Sequence, residues 1–378
     1  MSKVIETLKN YKYRYYNIRL LFWVCALTIL GILVIASATD SDVYEKKQIL
    51  GFIMGLFIVL AASFISYKFL LKFYWLFYII NLGLLIWVKV AGAYRMGATR
   101  WIDLGFFQLQ PSEFTKIFML LFFAKFLQNH KDKINTFPVI FSSVLLFAVP
   151  LLLVFKQPDL STSIIIFVLF CGIMYISGLS YKIIGGILTV IIPVVVILVY
   201  LIMQPDQNII KGYQLNRIIG FYDKDSEISD EISYQQENSV MAIGSGGLKG
   251  KGLNNNTVTS VKNGKYISEP QTDFIFCIVG EELGFIGASA VIIMLFLIVI
   301  ECFYTGAHAP DLSGRIIACG YGVLIAIQSF VNIAVVTMMI PNTGLPLPFV
   351  SYGLSSLLSL YAGLGVIMNI SLQRKESI

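Results

Sequence analysis

Apolar residues run along this chain in long, unbroken blocks, with the polar residues gathered between the blocks. The blocks fall near 18–38, 48–66, 69–90, 113–128, 138–155, 160–178, 182–203, 273–301, 314–340 and 348–371. Most approach the ~20 residues that an α-helix needs to cross a ~30 Å hydrocarbon core. In lipid every backbone polar group needs an internal partner, and a barrel strand would alternate apolar with polar residues. Continuous runs therefore predict helices. The expected fold is an all-α polytopic membrane protein of about ten transmembrane helices. A long extracytoplasmic loop, 204–272, separates helices 7 and 8. Residues 1–378 are expected to form one integral membrane unit, with cytoplasmic tails at 1–17 and 373–378.

Composition agrees. Of 378 residues, 57% are hydrophobic and only 13% charged, and the mean hydropathy is +0.78. A soluble domain carries about 25% charged residues. The net charge of +6 matters less than its distribution. With ten helices both termini share a side, and putting that side in the cytoplasm gives it Lys3, Lys9, Lys12, Arg14, Arg19, Lys68, Lys72, Lys125, Lys131, Lys133, Lys182, Arg315, Arg374 and Lys375. This follows the positive-inside rule. Ala36-Ser37-Ala38 has the form of a signal-peptide cleavage site, but the run before it is long. Its removal would also leave nine helices and an outside N-terminus, so the first block is expected to be retained.

The five cysteines fall in or beside apolar runs without C-x-x-C spacing and read as small buried hydrophobes. Two histidines are too few for a histidine metal cluster and argue against a histidine-based triad. In the long loop, NIIKGYQLNRIIGFYDKD spaces Lys211, Gln214 and Arg217 three apart, which predicts a short interfacial helix. SDEISYQQENSVMAI suggests another. GSGGLKGKGLNNN reads as a flexible, turn-rich stretch. Its G-x-x-x-G-K is one residue short of a Walker loop. A minority reading has its backbone amides touching a phosphate. Broken helices of the kind that mark transporters do not stand out.

Ionisable groups at membrane depth are costly and usually face a cavity, a partner or a pathway. Four stretches carry them or shape their surroundings. In GATRWIDLGFFQLQPSEFTK, Arg100 precedes an interfacial Trp101, and Glu113 and Lys116 stand at i and i+3, on one helix face. They read either as a self-satisfied ion pair or as a polar lining for an anionic substrate. In KQPDLSTS, Asp159 follows Pro158 at a helix start, where it can act as an N-cap. In EPQTDFIFCIVGEELGFIG, Asp273 stands near a helix entrance, as cap or as functional acid. Glu281 and Glu282, two turns deeper, are expected to bond to neighbouring elements. IPNTGLPLPFVSYGLSS, with three prolines, reads as a rigid irregular lip.

Taken together, six stretches resemble the SEDS family, the shape, elongation, division and sporulation proteins of bacteria. They are TRWIDLGFFQLQPSEFTK, KQPDLSTS, YQLNRI, ENSVMAIGSGGLKGKGL, PQTDFIFCIVGEELGFIG and PNTGLPLPFVSYG, in the family's order and over residues 18–372. The resemblance implies a ten-helix membrane glycosyltransferase that polymerises peptidoglycan, with lipid II as donor and acceptor. It would work at the outer face of the cytoplasmic membrane, beside a class B penicillin-binding protein and other elongation or division machinery. The family's essential aspartate maps to Asp273, and its polar cavity residues to Arg100, Glu113, Lys116, Asp159 and Arg217. A divalent cation, Mg or Mn, is compatible with this chemistry, with ligands not assigned. No organic cofactor and no nucleic acid are implied. The sequence departs from the family at Gln271, Leu354 and the Asn-rich stretch after GKGL, and short termini favour an elongation-type member. The competing functions are a lipid II flippase and a non-catalytic scaffold for the penicillin-binding protein.

Overall fold

The computed structural model describes residues 11–39, 41–95, 98–103, 105, 108–186, 189, 227–254, 260, 264 and 266–374. The helices are α1 (Ile18–Ala38), α2 (Asp42–Phe64), α3 (Tyr74–Ala91), α4 (Pro111–Asn129), α5 (Phe137–Phe155), α6 (Leu160–Ile176), α7 (Glu227–Ser245), α8 (Ile275–Ala307), α9 (Leu312–Val336) and α10 (Leu354–Leu372). Short helical turns, Tyr67–Leu70 and Leu71–Phe73, lead into α3. Between α3 and α4, where the sequence predicts only a loop between two apolar blocks, the chain forms a small antiparallel sheet, β1 (Ala93–Arg95), β2 (Ala98–Asp103) and β3 (Gln108–Leu109), in the order β1-β2-β3.

Among the described residues, seven helices are long and apolar enough to span a membrane: α1, α2, Tyr67–Ala91, α5, α8, α9 and α10. Of the other predicted spans, α6 is a shorter apolar helix. Helix α4 carries Glu113, Lys116 and Lys125 and is buried on nearly every side. Most of the predicted seventh span, 182–203, lies outside the described residues, although residues 181–186 are helical.

The bundle has two distinct ends. At one, the termini meet: Lys12 N donates to Leu372 O (3.0 Å), and Asn17 Nδ2 donates to Glu301 Oε2 (3.0 Å). At the other, α4 and α10 begin together, with Gln110 N donating to Ser355 Oγ (3.0 Å). The core is built by close helix contacts. Helix α10 lies along α2, and α8 along α9 and α1. Gly55 of α2 receives the ring of Tyr361, whose Cγ would lie 2.7 Å from a Cβ there. Where helices gain nothing from leaving lipid for each other, small residues that admit close approach drive packing.

The structure alters two expectations. Helix α8 is broken at Gly284, where φ is 65° and ψ −163°. Residues 247–252 of the glycine stretch predicted to be flexible pack into this break. Lys251 N and Gly252 N donate to Glu281 O (3.0 Å) and Glu282 O (2.9 Å), while Phe285 N and Ile286 N donate to Gly247 O (2.9 Å) and Leu248 O (3.2 Å). A broken ladder leaves backbone groups that protein must satisfy at membrane depth. Only glycine fits so close: a Cβ on Gly250 would collide with Glu282 O. Helix α7 forms as expected and tucks under α9. Its Gln236 Nε2 donates to Val335 O (2.7 Å) and its Ser239 Oγ to Val336 O (2.8 Å), the second satisfying a carbonyl that a helix C-terminus leaves open.

Candidate active site

A cavity of about 610 Å³ opens at the end of the bundle away from the termini. Its walls come from the start of α2, the sheet, the starts of α4 and α6, the segment before α8, and the lip before α10. Four of the predicted site residues line it: Arg100, Glu113, Asp159 and Asp273. Lys116 lies beneath the wall and is fully buried. Arg217 lies outside the described residues.

Proline at the first position starts α4 and brings Glu113 into its first turn, facing the cavity. Three residues on, Lys116 Nζ reaches back to Glu113 Oε1 (2.8 Å) and across to Gln328 Oε1 on α9 (2.9 Å). The two side chains form a closed ion pair, and its acid lines the cavity. Glu113 Oε2 is buried without a hydrogen-bond partner. Asp159 likewise does two things. Its Oδ1 accepts from Thr162 N (3.1 Å), capping α6, and its carboxylate faces the cavity beside Ser112 Oγ (3.5 Å). Arg100, on β2, donates to Gln157 O (3.2 Å) and to Pro158 O. Its guanidinium thus fastens the sheet to the turn that delivers Asp159.

Asp273 is not a helix cap: α8 begins at Ile275, and its N-cap residue, Phe274, makes no side-chain cap. Asp273 sits on irregular, half-buried backbone whose successive carbonyls are held from outside. Gln271 O accepts from Tyr352 N (2.9 Å), Thr272 O from Ser351 Oγ (2.6 Å) and Asp273 O from Asn332 Nδ2 (2.7 Å). The lip is itself tied down. Ser351 Oγ accepts from Leu347 N (2.7 Å), and Gln48 Nε2 donates to Ser351 O (3.1 Å). Glu281 and Glu282 do not line the cavity. They meet neighbouring elements as expected: Glu281 pairs with Lys251 (2.8 Å), and Glu282 accepts from Ser37 Oγ (2.5 Å).

Sequence reasoning did not single out Lys47, Tyr44 or Tyr352, which also line the cavity. The rings of Tyr44 and Tyr352 meet edge to face at 4.9 Å. Burial, then the neighbouring Tyr44, pushes the Tyr352 phenol up from its ordinary pKa, so it faces the cavity as a neutral donor. Nothing in the spacing near Lys47 ties it to residues hundreds of positions away. Among the described residues, no group of three or more His, Cys, Asp or Glu is arranged to hold a metal ion.

Comparison with known proteins shows which family the chain resembles. The family model described as "Cell cycle protein" and named for FtsW, RodA and SpoVE matches residues 18–376. The peptidoglycan glycosyltransferase MrdB of Escherichia coli K12 is 35% identical over 351 residues, covering 93% of this chain and 92% of that one. A probable peptidoglycan glycosyltransferase FtsW of Trichlorobacter lovleyi is 34% identical over 375 residues, covering 96% and 95%. Among solved structures, a chain from a peptidoglycan synthase complex that coordinates polymerization and crosslinking superposes with a TM-score of 0.79 at 26% identity, covering 94% of this chain and 97% of that one. The rod shape determining protein RodA of Thermus thermophilus gives 0.69 at 26% identity, covering 96% and 98%. The chain belongs to the FtsW/RodA/SpoVE family, the SEDS proteins.

Proposed function

We propose that this chain, a peptidoglycan glycosyltransferase, joins lipid II units at the outer face of the cytoplasmic membrane by a single displacement with Asp273 as general base. The observation that carries this reading is the convergence of Asp273, Arg100, Glu113 and Asp159 on one cavity at one end of the bundle. A sugar hydroxyl is a poor nucleophile until its proton is taken, and a positioned carboxylate takes it. The acceptor oxygen then forms its bond to the donor's anomeric carbon, and the bond to the lipid diphosphate breaks with its electron pair. The anomeric configuration inverts. The diphosphate departs as an anion, so no second carboxylic acid is needed to protonate it, unlike in a glycosidase.

The leaving group calls for positive charge. Lys47 and Arg100 line the cavity, and Arg217 is proposed to join them. Lys116, enclosed between Glu113 and Gln328, acts by holding Glu113 and does not touch substrate. Magnesium commonly takes one or two carboxylates plus substrate phosphates. The partnerless Glu113 Oε2 and Asp159, in a cavity for a diphosphate, fit that mode. A divalent cation held there would neutralise charge on the leaving diphosphate.

The partner is proposed to be a class B penicillin-binding protein. The likeness to a chain of a polymerization and crosslinking complex supports this. The competing reading is a flippase, which needs polar groups through both leaflets. Two further cavities, lined by Arg14, Tyr304 and Lys68 among others, lie at the opposite end and share no lining residue with this one. The test uses the full chain in vesicles with lipid II, with and without the partner. Glycan strands are the expected product. Movement of lipid II between leaflets with no glycan formed would overturn the proposal in favour of the flippase.

A further inference from the structure

Asp273 lies just outside α8, so no helix ladder fixes its backbone. A general base nonetheless has to stay within hydrogen-bond reach of the proton it removes. What holds it comes mainly from α9 and the lip. Gln328 and Asn332 stand one helical turn apart on α9, and both are almost fully buried. Asn332 Nδ2 donates both to Asp273 O and to Leu345 O, each at 2.7 Å. Gln328 Nε2 donates to Pro346 O (2.9 Å), and its Oε1 accepts from Lys116 Nζ (2.9 Å). Two adjacent amides thus bind two successive lip carbonyls. One continues to the backbone of the base, and the other to the ion pair in the facing wall.

The orientation of Asn332 has a consequence. Both of its near neighbours are carbonyls, so the NH₂ must face them, and Oδ1 is left buried with no partner. A buried acceptor without a donor is unfavourable, and native structures keep few of them. An apolar residue here would avoid that cost but would release the Asp273 carbonyl.

We propose that Asn332 and Gln328 are positioning residues for the transfer reaction. Asn332 fixes the main chain that aims the Asp273 carboxylate, and Gln328 couples that segment to the Glu113–Lys116 pair. The inference rests on the reading of Asp273 as base. It assigns Lys116 a part in the same scaffold. Small misplacements of a reacting group lower rate by up to about 100-fold without weakening substrate binding. The expected signature is therefore a fall in kcat at nearly constant KM.

The experiment uses the full chain with its transpeptidase partner in nanodiscs, with lipid II as substrate. It measures kcat and KM across pH for wild type, Asn332→Leu, Asn332→Asp, Gln328→Glu and Asp273→Asn, with a thermal unfolding midpoint for each. Asn332→Asp keeps the side-chain shape and serves where the leucine variant does not fold. Gln328→Glu keeps an acceptor for Lys116 and loses the donor to Pro346. The proposal expects kcat about 10- to 100-fold lower in the Asn332 variants, with KM within about 3-fold. It also expects a displaced acid limb of the pH profile, which loss of folded protein alone would not produce, and a smaller fall for Gln328→Glu. Wild-type kcat and an unmoved acid limb in a folded Asn332 variant would overturn it, even with Asp273→Asn inactive. A fully active Asp273→Asn would instead remove the base itself.

Discussion

Two ion pairs stand at opposite ends of this bundle. At the cavity, Lys116 Nζ lies 2.8 Å from Glu113 Oε1, with side chains 1% and 3% exposed. At the terminal end, Arg19 Nε lies 3.1 Å from Glu301 Oε1, with the arginine 67% exposed and the acid 11%. The charges and distances are similar, but the energetics are not. An exposed pair is screened and contributes about 0–1 kcal/mol. A buried pair returns little net stability over apolar packing, yet losing one partner strands a charge. Glu301 also has Asn17 and Thr305 nearby to share its surroundings, whereas Glu113 has an oxygen with no partner. The terminal pair behaves as a fastening. The cavity pair is a costly buried element, with one acceptor unpartnered, kept where an anionic substrate is proposed to bind.

The sharpest way to break that contrast is Lys116→Ala. It should destabilise the protein by about 3–5 kcal/mol, read as a lowered unfolding midpoint. The double change Glu113→Gln with Lys116→Met should recover much of the stability while polymerisation stays low. Unfolding of Lys116→Ala at the wild-type midpoint would mean that burial does not set this pair apart. Next is the backbone between the two ends. Gly250→Ala should cost about 1–3 kcal/mol, because its Cβ meets Glu282 O and its φ is +78°. Gly247→Ala, at φ +55° but with open space around its Cβ, should cost less. Lys47→Ala should raise KM for lipid II roughly 5-fold, about 1 kcal/mol, with kcat little changed. The wild-type advantage should shrink as salt rises. The smallest effect belongs to Arg19→Ala, within about 1 kcal/mol of wild type and with unchanged kinetics. A loss there as large as that from Lys116→Ala would erase the distinction between the ends.

What could be read from the sequence was local. Helix positions followed from apolar runs, and the Glu113–Lys116 pair and the Asp159 cap followed from spacings of three residues or fewer. The sheet between α3 and α4 was not read, because strands this short leave little alternation to detect. The break at Gly284 was missed because Gly280, Gly284 and Gly287 all stand in one helical run, and nothing local tells which of them interrupts it. Its meaning comes from Gly250, 34 residues earlier in the chain. Separation along the chain also hid Asn332, Gln328 and Lys47, whose roles depend on neighbours in other elements. The glycine-rich stretch looked flexible because close packing of backbone on backbone has the composition of a loose loop. The expected interfacial helix around Arg217 lies outside the described residues.

Asp273 is proposed to remove the acceptor's proton. The direct measurement is the glycan polymerisation rate of Asp273→Ala beside wild type, in the same nanodiscs with partner and lipid II, at matched unfolding midpoints. The expected loss is about 10²- to 10⁴-fold, the usual contribution of a general base. Glycan made at the wild-type rate would contradict it.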